Sequence, residues 1–596
     1  MLSQNGLSAN PIRVLAISPG IAIGPVCLYR TVDKKAAVTK IEPDQVEIEQ
    51  QRLQEALKKA TDELRSLGEH VTQTVGSAEA AIFEAQQLIL ADPDLLTEVQ
   101  ALISHQHFSA ASALQQVAED QAQELEKLDS EVLAARAADV RDAAARAVRF
   151  LSGNVEASLV VAQPAPVVLV AHDLTPSDTA GLDPKTILGI CTVVGGPTTH
   201  AAILARALEI PAVAGIDAHL LDVLYDGQQI AIDGTRGLLY LQLSEEQQRE
   251  FRLRMRQQQE DRTARRMRDQ IQWRDRAGST ADGIAVQIFA NVGDRESARA
   301  AAEAGAEGIG LLRTEFLFGG RPVFPAEQEQ FENYVALFQA FADSALLGKT
   351  IIARTLDAGA DKPFPALEPL IGPLHESNPA LGLRGARIHL VHQELLRQQL
   401  RALLRAAAQV GVQLHIMFPM IATLEEVRHL RAIYTAVRQE LQSEDVPLSP
   451  DTQLGIMIET PAAALMADVL AREVDFFSIG ANDLFQYTMA ADRTNSRVSG
   501  MFGVLEPAIW RLIDRVVRAG IACGKTVALC GELAADQRIA PLLAGLGIQE
   551  LSMNPPAIVR VKAALNEHTM EHWRQQAQKL LKAETAAEMQ SVLASL

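Results

Sequence analysis

The spacing of apolar residues divides the chain into stretches of different period. Between Ile41 and Leu151 apolar positions recur about every 3.6 residues. Val46, Leu53 and Leu57 mark one helix. Ala81, Ile82, Ala85, Leu88 and Ile89 mark a second, and Leu125, Leu128, Val132 and Leu133 a third. This period collects apolar side chains on one stripe of a helix. Asp92-Pro93-Asp94 stops one helix and starts another. The stretch therefore reads as an all-helical bundle of about 110 residues.

On either side the period shortens. Arg13 to Tyr29 reads as strand, turn and strand around Ser18-Pro19-Gly20. Residues 158–240 return to short strand-like runs: Val167–Ala171, Ile187–Val194, Ala212–Ala214, Gln229–Asp233 and Leu238–Leu241. The pattern predicts an α/β domain begun near Val14, interrupted by the helical bundle and then resumed. Residues 244–272 are dense in Arg, Glu and Gln and hold no Pro or Gly. A helix polar nearly all round suits a connector between domains.

Beyond Ala285, strand-like runs alternate with helical stretches. The runs are Val286–Asn291, Gly308–Arg313, Ile351–Leu356, His415–Met420, Leu454–Glu459, Phe476–Gly480 and Val527–Cys530. A weaker element near Leu381–Arg384 would make eight. Eight βα units predict a (β/α)8 barrel, with a doubly wound open sheet as the alternative. The expected domain ranges are 1–34 and 156–243 for the α/β domain, 35–155 for the inserted bundle, 244–278 for the linker helix, and 279–596 for the barrel.

Composition narrows the function. The chain has 596 residues, 48% of them hydrophobic, and a net charge of −19, which speaks against nucleic acid as a partner. Residues 31–150 carry 22 acidic against 12 basic residues, a net of −10. The bundle is thus either a dock for a basic protein or an ordinary solvated acidic surface. The four cysteines form no C-x-x-C pair, which argues against a disulfide framework or structural zinc. The apolar run nearest to a membrane span, Val160–Ala171, is short and holds Pro164 and Pro166. The start of the chain shows no basic-then-apolar leader, so a cytoplasmic protein is expected.

Two places carry candidate chemistry. In Gly195-Gly196-Pro197-Thr198-Thr199-His200 two glycines let a loop approach a ligand closely. The threonines suit a helix N-cap, and Ala201 to Leu208 reads as the helix. His200 then lies where unpaired N–H groups and the dipole favour negative charge. It is open to two readings, a capping histidine or a nucleophile that carries a phosphoryl group. The second place is the mouth of the barrel, where reactive side chains leave the C-terminal ends of strands. Arg313, Arg354, Arg384, Glu459, Asn482, Asp483 and Cys530 all fall at such ends. Arginine offers planar donors that match phosphate and carboxylate. Glu459 and Asp483 could share one Mg²⁺, which takes further oxygens from water and a substrate phosphate. The less favoured alternative is that they pair with the arginines and hold no metal. Cys530 reads as a small core residue or a reactive thiol, and Lys362 as a ligand contact or a solvated side chain.

These stretches also carry a resemblance. SPGIAIGP, IFEAQQLIL, RAADVRD, GGPTTHAAILARALEIPAVAG, GIGLLRTEFLF, RTLDAGADKP, NPALGLRGAR, MFPMI, GIMIETPAA, SIGANDLFQYTMAADR and CGELAAD stand in this order. Together they resemble the phosphoenolpyruvate-protein phosphotransferases, Enzyme I of the bacterial sugar phosphotransferase system, over about residues 13–570. The resemblance implies that phosphoenolpyruvate binds at the barrel mouth with Mg²⁺ held by Glu459 and Asp483. It implies that Arg313, Arg354, Arg384 and Arg493 grip phosphate and carboxylate, with Asn482 assisting. His200 would accept the phosphoryl group, and Cys530 would protonate the enolate to give pyruvate. The group would then pass to the phosphocarrier HPr, docked on the acidic bundle, and the barrel would form a homodimer.

The chain departs from the family pattern at Pro197, where Arg is common, and at Thr199, where Ser is common. A position often histidine appears as Gln86 or Gln87. The same phrases resemble the Enzyme I portion of multiphosphoryl transfer proteins, in which HPr is fused upstream. Two other readings are a dikinase or phosphoenolpyruvate synthase, for which no P-loop motif is found, and a regulatory protein with a degenerate site.

Overall fold

The structure is a computed structural model describing residues 11–29, 39–74, 83, 86–87, 89–127, 131–152, 165–174, 178–179, 182–195, 200–319, 321, 323–359, 364–367, 369, 378–449, 451–492 and 505–594. The chain forms two compact units, residues 1–263 and 264–596.

The first unit is built on one eight-stranded sheet. Its strands are β1 (Ile12–Arg13), β2 (Leu15–Ser18), β3 (Ile21–Tyr29), β4 (Val167–Ala171), β5 (Ile187–Thr192), β6 (Ala212–Ala214), β7 (Gln229–Asp233) and β8 (Leu238–Tyr240), in the order β1-β8-β7-β3-β4-β5-β6-β2. β3 and β4 lie side by side and parallel, with Val26 opposite Val168 and Tyr29 opposite Ala171. Everything between them in sequence is therefore an insertion at one crossover, as the change of period predicts. β4 is buried on both faces, and its unbroken Val-Val-Leu-Val-Ala run is what a central parallel strand requires.

The insertion is helical. Its long helices are α1 (Val46–Thr74), α2 (Pro93–Gln106), α3 (Ala110–Lys127) and α4 (Glu131–Leu151). The reading of one helix through Leu125–Leu133 is corrected: α3 ends at Lys127 and α4 starts at Glu131, with Leu128 outside the described residues. Ala81, Ile82, Ala85 and Leu88 also lie outside them. The bundle core mixes Leu53, Leu64, Val99 and Leu114 with Ala60, Ala113, Ala143 and Ala147. The alanines let helices approach closely without large cavities, which is how a chain with 4% aromatics fills its interior.

Helix α5 (His200–Ala207) joins bundle and sheet. Leu204 packs in the bundle core, while Ala202 and Ala205 pack on the sheet with Ile190 and Ala212. Helix α6 (Glu245–Trp273) follows β8. Its first turns are tied to the first unit: Phe251 and Met255 pack with Ile23 and Tyr240, and Gln258 Oε1 accepts the Ile21 N–H at 3.2 Å. Farther along, Met267 and Ile271 are exposed, as expected of a connector with little apolar surface to bury.

The second unit is a closed barrel of eight parallel strands. They are β9 (Gln287–Val292), β10 (Gly308–Arg313), β11 (Thr350–Arg354), β12 (Gln413–Phe418), β13 (Leu454–Ile458), β14 (Phe476–Gly480), β15 (Thr526–Cys530) and β16 (Glu550–Met553), and β16 pairs back to β9. Closure excludes the open sheet. The expected eighth strand near Leu381–Arg384 is corrected. That segment holds a short 3₁₀ turn, Pro379–Leu381, and Arg384 lies in the connection that follows β11. The missing strand is β16. It has only four residues, and its Glu550 and Ser552 are buried while Leu551 and Met553 pack in the main core. Two buried polar positions in so short a run hide the strand from an apolar-run reading.

Candidate active site

Helix α5 covers His200–Ala207 among the described residues, beside the expected Ala201–Leu208. Gly195 has φ of +144°, a backbone conformation that favours glycine. Residues 196–199, including Pro197 and Thr199, lie outside the described residues, as do Lys362 and Arg493. At the far end of α5, Arg206 donates to the Ile17 carbonyl at 3.2 Å, and Ser18 donates to the Ala205 carbonyl at 3.4 Å. These bonds fix the helix on β2. In the bundle Gln86 is buried and donates to Asp142 Oδ2 at 2.8 Å, while Gln87 donates to the Phe83 carbonyl at 3.1 Å.

At the barrel mouth the strand ends converge. Arg313 is the last residue of β10, Arg354 of β11 and Cys530 of β15, while Glu459 directly follows β13. Asn482 and Asp483 stand in the first turn of α8 (Ala481–Met489), if the short helix Glu315–Phe318 is named α7. Asn482 is exposed and the others are half-buried or buried.

Two arginines are held by three carboxylates, Glu315, Asp357 and Asp483. Arg354 places Nη2 3.2 Å from Glu315 Oε2 and Nη1 3.2 Å from Asp357 Oδ2. Arg384 donates Nη2 to Asp357 Oδ2 at 2.9 Å and Nε to Asp357 Oδ1 at 3.3 Å, a two-point grip. Its Nη1 donates to Tyr487 Oη at 2.9 Å and lies 3.4 Å from Asp483 Oδ1. Tyr487 in turn donates to the Ala380 carbonyl at 2.5 Å. Burial alone would lower the pKa of both guanidiniums, but the surrounding carboxylates more than offset it and both are raised.

Glu459 is 1% exposed. Its Oε1 accepts the Met420 N–H at 2.6 Å, and its Oε2 is buried with no hydrogen-bond partner. Burial first, then Asp483 and Asp357, push its pKa up, against the pull of Arg354 and Arg384. Met420 sits in the left-handed region at φ of +56°, unusual for a side chain of its size. Gly480 on the next strand leaves room for the Glu459 carboxylate, because a Cβ there would lie 2.9 Å from Oε2. A buried carboxylate oxygen with no partner, beside a second carboxylate, fits a hard divalent cation. Among the described residues no third His, Cys, Asp or Glu joins them. Water and substrate oxygens would complete the shell, as Mg²⁺ prefers.

Cys530 is buried, with Sγ 3.5 Å from the Ile479 carbonyl. Burial pushes the thiol up to about 11, with Arg354 the largest opposing influence. The sulfur is therefore a neutral thiol near pH 7, able to give a proton rather than to attack. Sequence reasoning missed Glu315, Asp357 and Tyr487. Glu315 stands two residues after Arg313, and Asp357 three after Arg354, so their proximity to the arginines was visible. Tyr487 is four residues after Asp483 on α8, one turn away on the same face.

Residues 267–570 match the family model described as PEP-utilising enzyme, PEP-binding domain. Residues 14–136 match its N-terminal domain and 163–237 its mobile domain. A phosphoenolpyruvate-protein phosphotransferase of Priestia megaterium is 40% identical over 560 residues, covering 93% of this chain and 94% of that protein. The chain belongs to the phosphoenolpyruvate-protein phosphotransferase family. Another relative in this family, from Geobacillus stearothermophilus, is 40% identical and is covered over 98% of both chains. A multiphosphoryl transfer protein of Rhodobacter capsulatus is 42% identical over 97% of this chain and 66% of its own length. All the members of the cluster at the barrel mouth fall within the PEP-binding match, and His200 falls within the mobile-domain match. Among the described residues no helix is long and apolar enough to cross a membrane.

Proposed function

We propose that the chain takes the phosphoryl group of phosphoenolpyruvate onto His200, releases pyruvate, and passes the group to a histidine of an HPr-type carrier. The observation that carries this reading is the cluster of Arg354, Arg384, Glu459, Asp483 and Cys530 at one barrel mouth, in a chain of this family. Arg313, Arg354, Arg384 and Arg493 bind the phosphate and carboxylate of the substrate, and Asn482, exposed in the first turn of α8, assists. Glu459 and Asp483 hold Mg²⁺, whose role when bound is to neutralise charge on phosphate and enolate oxygens.

The reaction needs few groups. An imidazole nitrogen of His200 forms a bond to phosphorus as the bond from phosphorus to the enol oxygen breaks, and the electron pair stays on that oxygen. The arginines stabilise the resulting enolate. The Cys530 thiol gives its proton to the methylene carbon, pyruvate leaves, and solvent restores the thiol. The raised thiol pKa supports this direction of transfer, since the proton is in place at neutral pH. His200 belongs to the first unit and the cluster to the second, so the reaction requires the first unit to present the histidine at the mouth. The polar helix α6 joins the two and suits such a movement.

The carrier docks on the acidic helical insertion by charge complementarity, with 22 acidic residues against 12 basic in 31–150. It is either a separate protein or a fused segment, as the likeness to a multiphosphoryl transfer protein allows. The barrel pairs two copies into a homodimer, and the protein works in the cytoplasm at the first step of sugar uptake. Phosphoenolpyruvate labelled at phosphorus, with Mg²⁺, should label the protein in an acid-labile, base-stable linkage. His200→Ala should take no label, and full labelling of that variant would refute the assignment.

A further inference from the structure

We infer that Glu315 is a positioning residue that holds the Arg354 guanidinium ready for substrate. Glu315 opens α7, directly after Thr314, and is 4% exposed. Burying a carboxylate is costly unless its charge is used. Its two oxygens do different things. Oε1 accepts the Asp357 N–H at 2.8 Å and so ties the segment after β11 to α7. Oε2 stands 3.2 Å from Arg354 Nη2 and has no aligned hydrogen bond.

The guanidinium is thus caught between two carboxylates, Glu315 at Nη2 and Asp357 at Nη1. Its Nε is buried with no hydrogen-bond partner. The backbone of Arg354 is fixed separately, because Thr314 Oγ1 donates to its carbonyl at 2.9 Å. Glu315 Oε2 therefore acts on the side chain's orientation, while Oε1 holds the segment after β11. A guanidinium with two ionic anchors has lost its rotamer freedom before substrate arrives, and binding then pays less for ordering it. With one anchor removed, the ordering is postponed to the binding step. Once bound, the substrate's own charge holds the group, so the loss falls on affinity more than on the limiting rate.

Glu315→Gln separates the two oxygens. The amide oxygen still accepts the Asp357 N–H, while the amide nitrogen faces Arg354 as a donor against a donor. The inference rests on the proposed function, and single-turnover labelling of the full chain by phosphoenolpyruvate with Mg²⁺ tests both. We expect Glu315→Gln to raise the half-saturating substrate concentration about tenfold, with a limiting rate within about threefold of wild type. Added to Arg354→Lys, the same substitution should cost nothing further, because its target is gone. The melting temperature of Glu315→Gln should stay within about 2 °C of wild type. A wild-type half-saturation in Glu315→Gln overturns the role, and so does a full additional loss in the Arg354→Lys background. A drop in melting temperature with no change in half-saturation also overturns it and assigns Glu315 to the scaffold. A wild-type chain that takes no label refutes the proposed function itself; a labelled wild type beside an unaffected Glu315→Gln refutes only the role of Glu315.

Discussion

Gly480→Ala adds one methyl group and should disable the barrel mouth. The backbone tolerates it, since Gly480 has φ of −84°. The obstacle is space. A Cβ at this position would lie 2.9 Å from both Glu459 Cβ and Glu459 Oε2, and 3.0 Å from Met457 Sδ. Carbon contacts are comfortable at about 3.5–4.0 Å, so the neighbours must retreat by roughly 0.6 Å or more. Glu459 is poorly placed to retreat, because its Oε1 is bound by the Met420 N–H at 2.6 Å. Either that bond lengthens or β13 and β14 part. Overpacking of this kind costs about 1–3 kcal/mol of stability. The functional cost is larger in proportion. A misplacement of about 1 Å at a reacting centre can cost ~10²-fold, so the smaller shift here should cost at least about tenfold. The assay is the rate of labelling by phosphoenolpyruvate as Mg²⁺ is varied, beside a melting curve. We expect a labelling rate ~10- to 100-fold below wild type, a raised Mg²⁺ requirement and a melting temperature lower by a few degrees. Wild-type labelling at the wild-type Mg²⁺ requirement would show that Glu459 does not act from the position it holds here.

Two further expectations concern buried titratable groups. Cys530→Ala should slow pyruvate release while leaving substrate binding largely intact, measured by pyruvate formation and by equilibrium binding; lost binding would assign Cys530 to packing. In the wild-type enzyme the protonation step should show no loss between pH 7 and 9, because the thiol is pushed up to about 11, and a fall centred near 8 would contradict its role as acid. Glu550 is buried with Oε1 unpartnered, and burial, then Glu307, pushes its pKa up to about 8 from 4.5. Between those values the unfolded chain releases the proton that the folded chain keeps, so stability falls as pH rises from about 4.5 to 8. Glu550→Gln should remove this slope and raise the melting temperature at pH 8 more than at pH 5. An equal change at both pH values would contradict it.

How much of this was legible in the sequence depended on period and strand ends. The bundle inside the sheet was legible because helical spacing begins after Tyr29 and ends before Val167. Seven barrel strands were legible as apolar runs, and the reactive residues at five of their ends followed from the rule for such barrels. β16 was not, because Glu550 and Ser552 break its apolar run. Arg384 was assigned to the mouth for the wrong reason: it arrives in the connection after β11, and Asp357 brings it there. Glu315 and Asp357 were overlooked because a carboxylate beside an arginine in sequence gives no sign of depth. Only burial tells an ion pair on the surface from one that orients a binding group.

The parallel pairing of β3 with β4 bears on how the first unit comes apart. A crossover there needs about a dozen residues, whereas this chain spends residues 30–166 on it. Loop-closure entropy grows only by about 0.6 kcal/mol per doubling of length, so lengthening a dozen residues to this extent costs roughly 2 kcal/mol. A melted insertion would thus burden the sheet only modestly, and the bundle is placed to open as a foldon of its own. The helix that starts at His200 would feel that opening first, since Leu204 belongs to the bundle core. Hydrogen exchange in α5 would then track the bundle, while β4, at the centre of the sheet, keeps its protection.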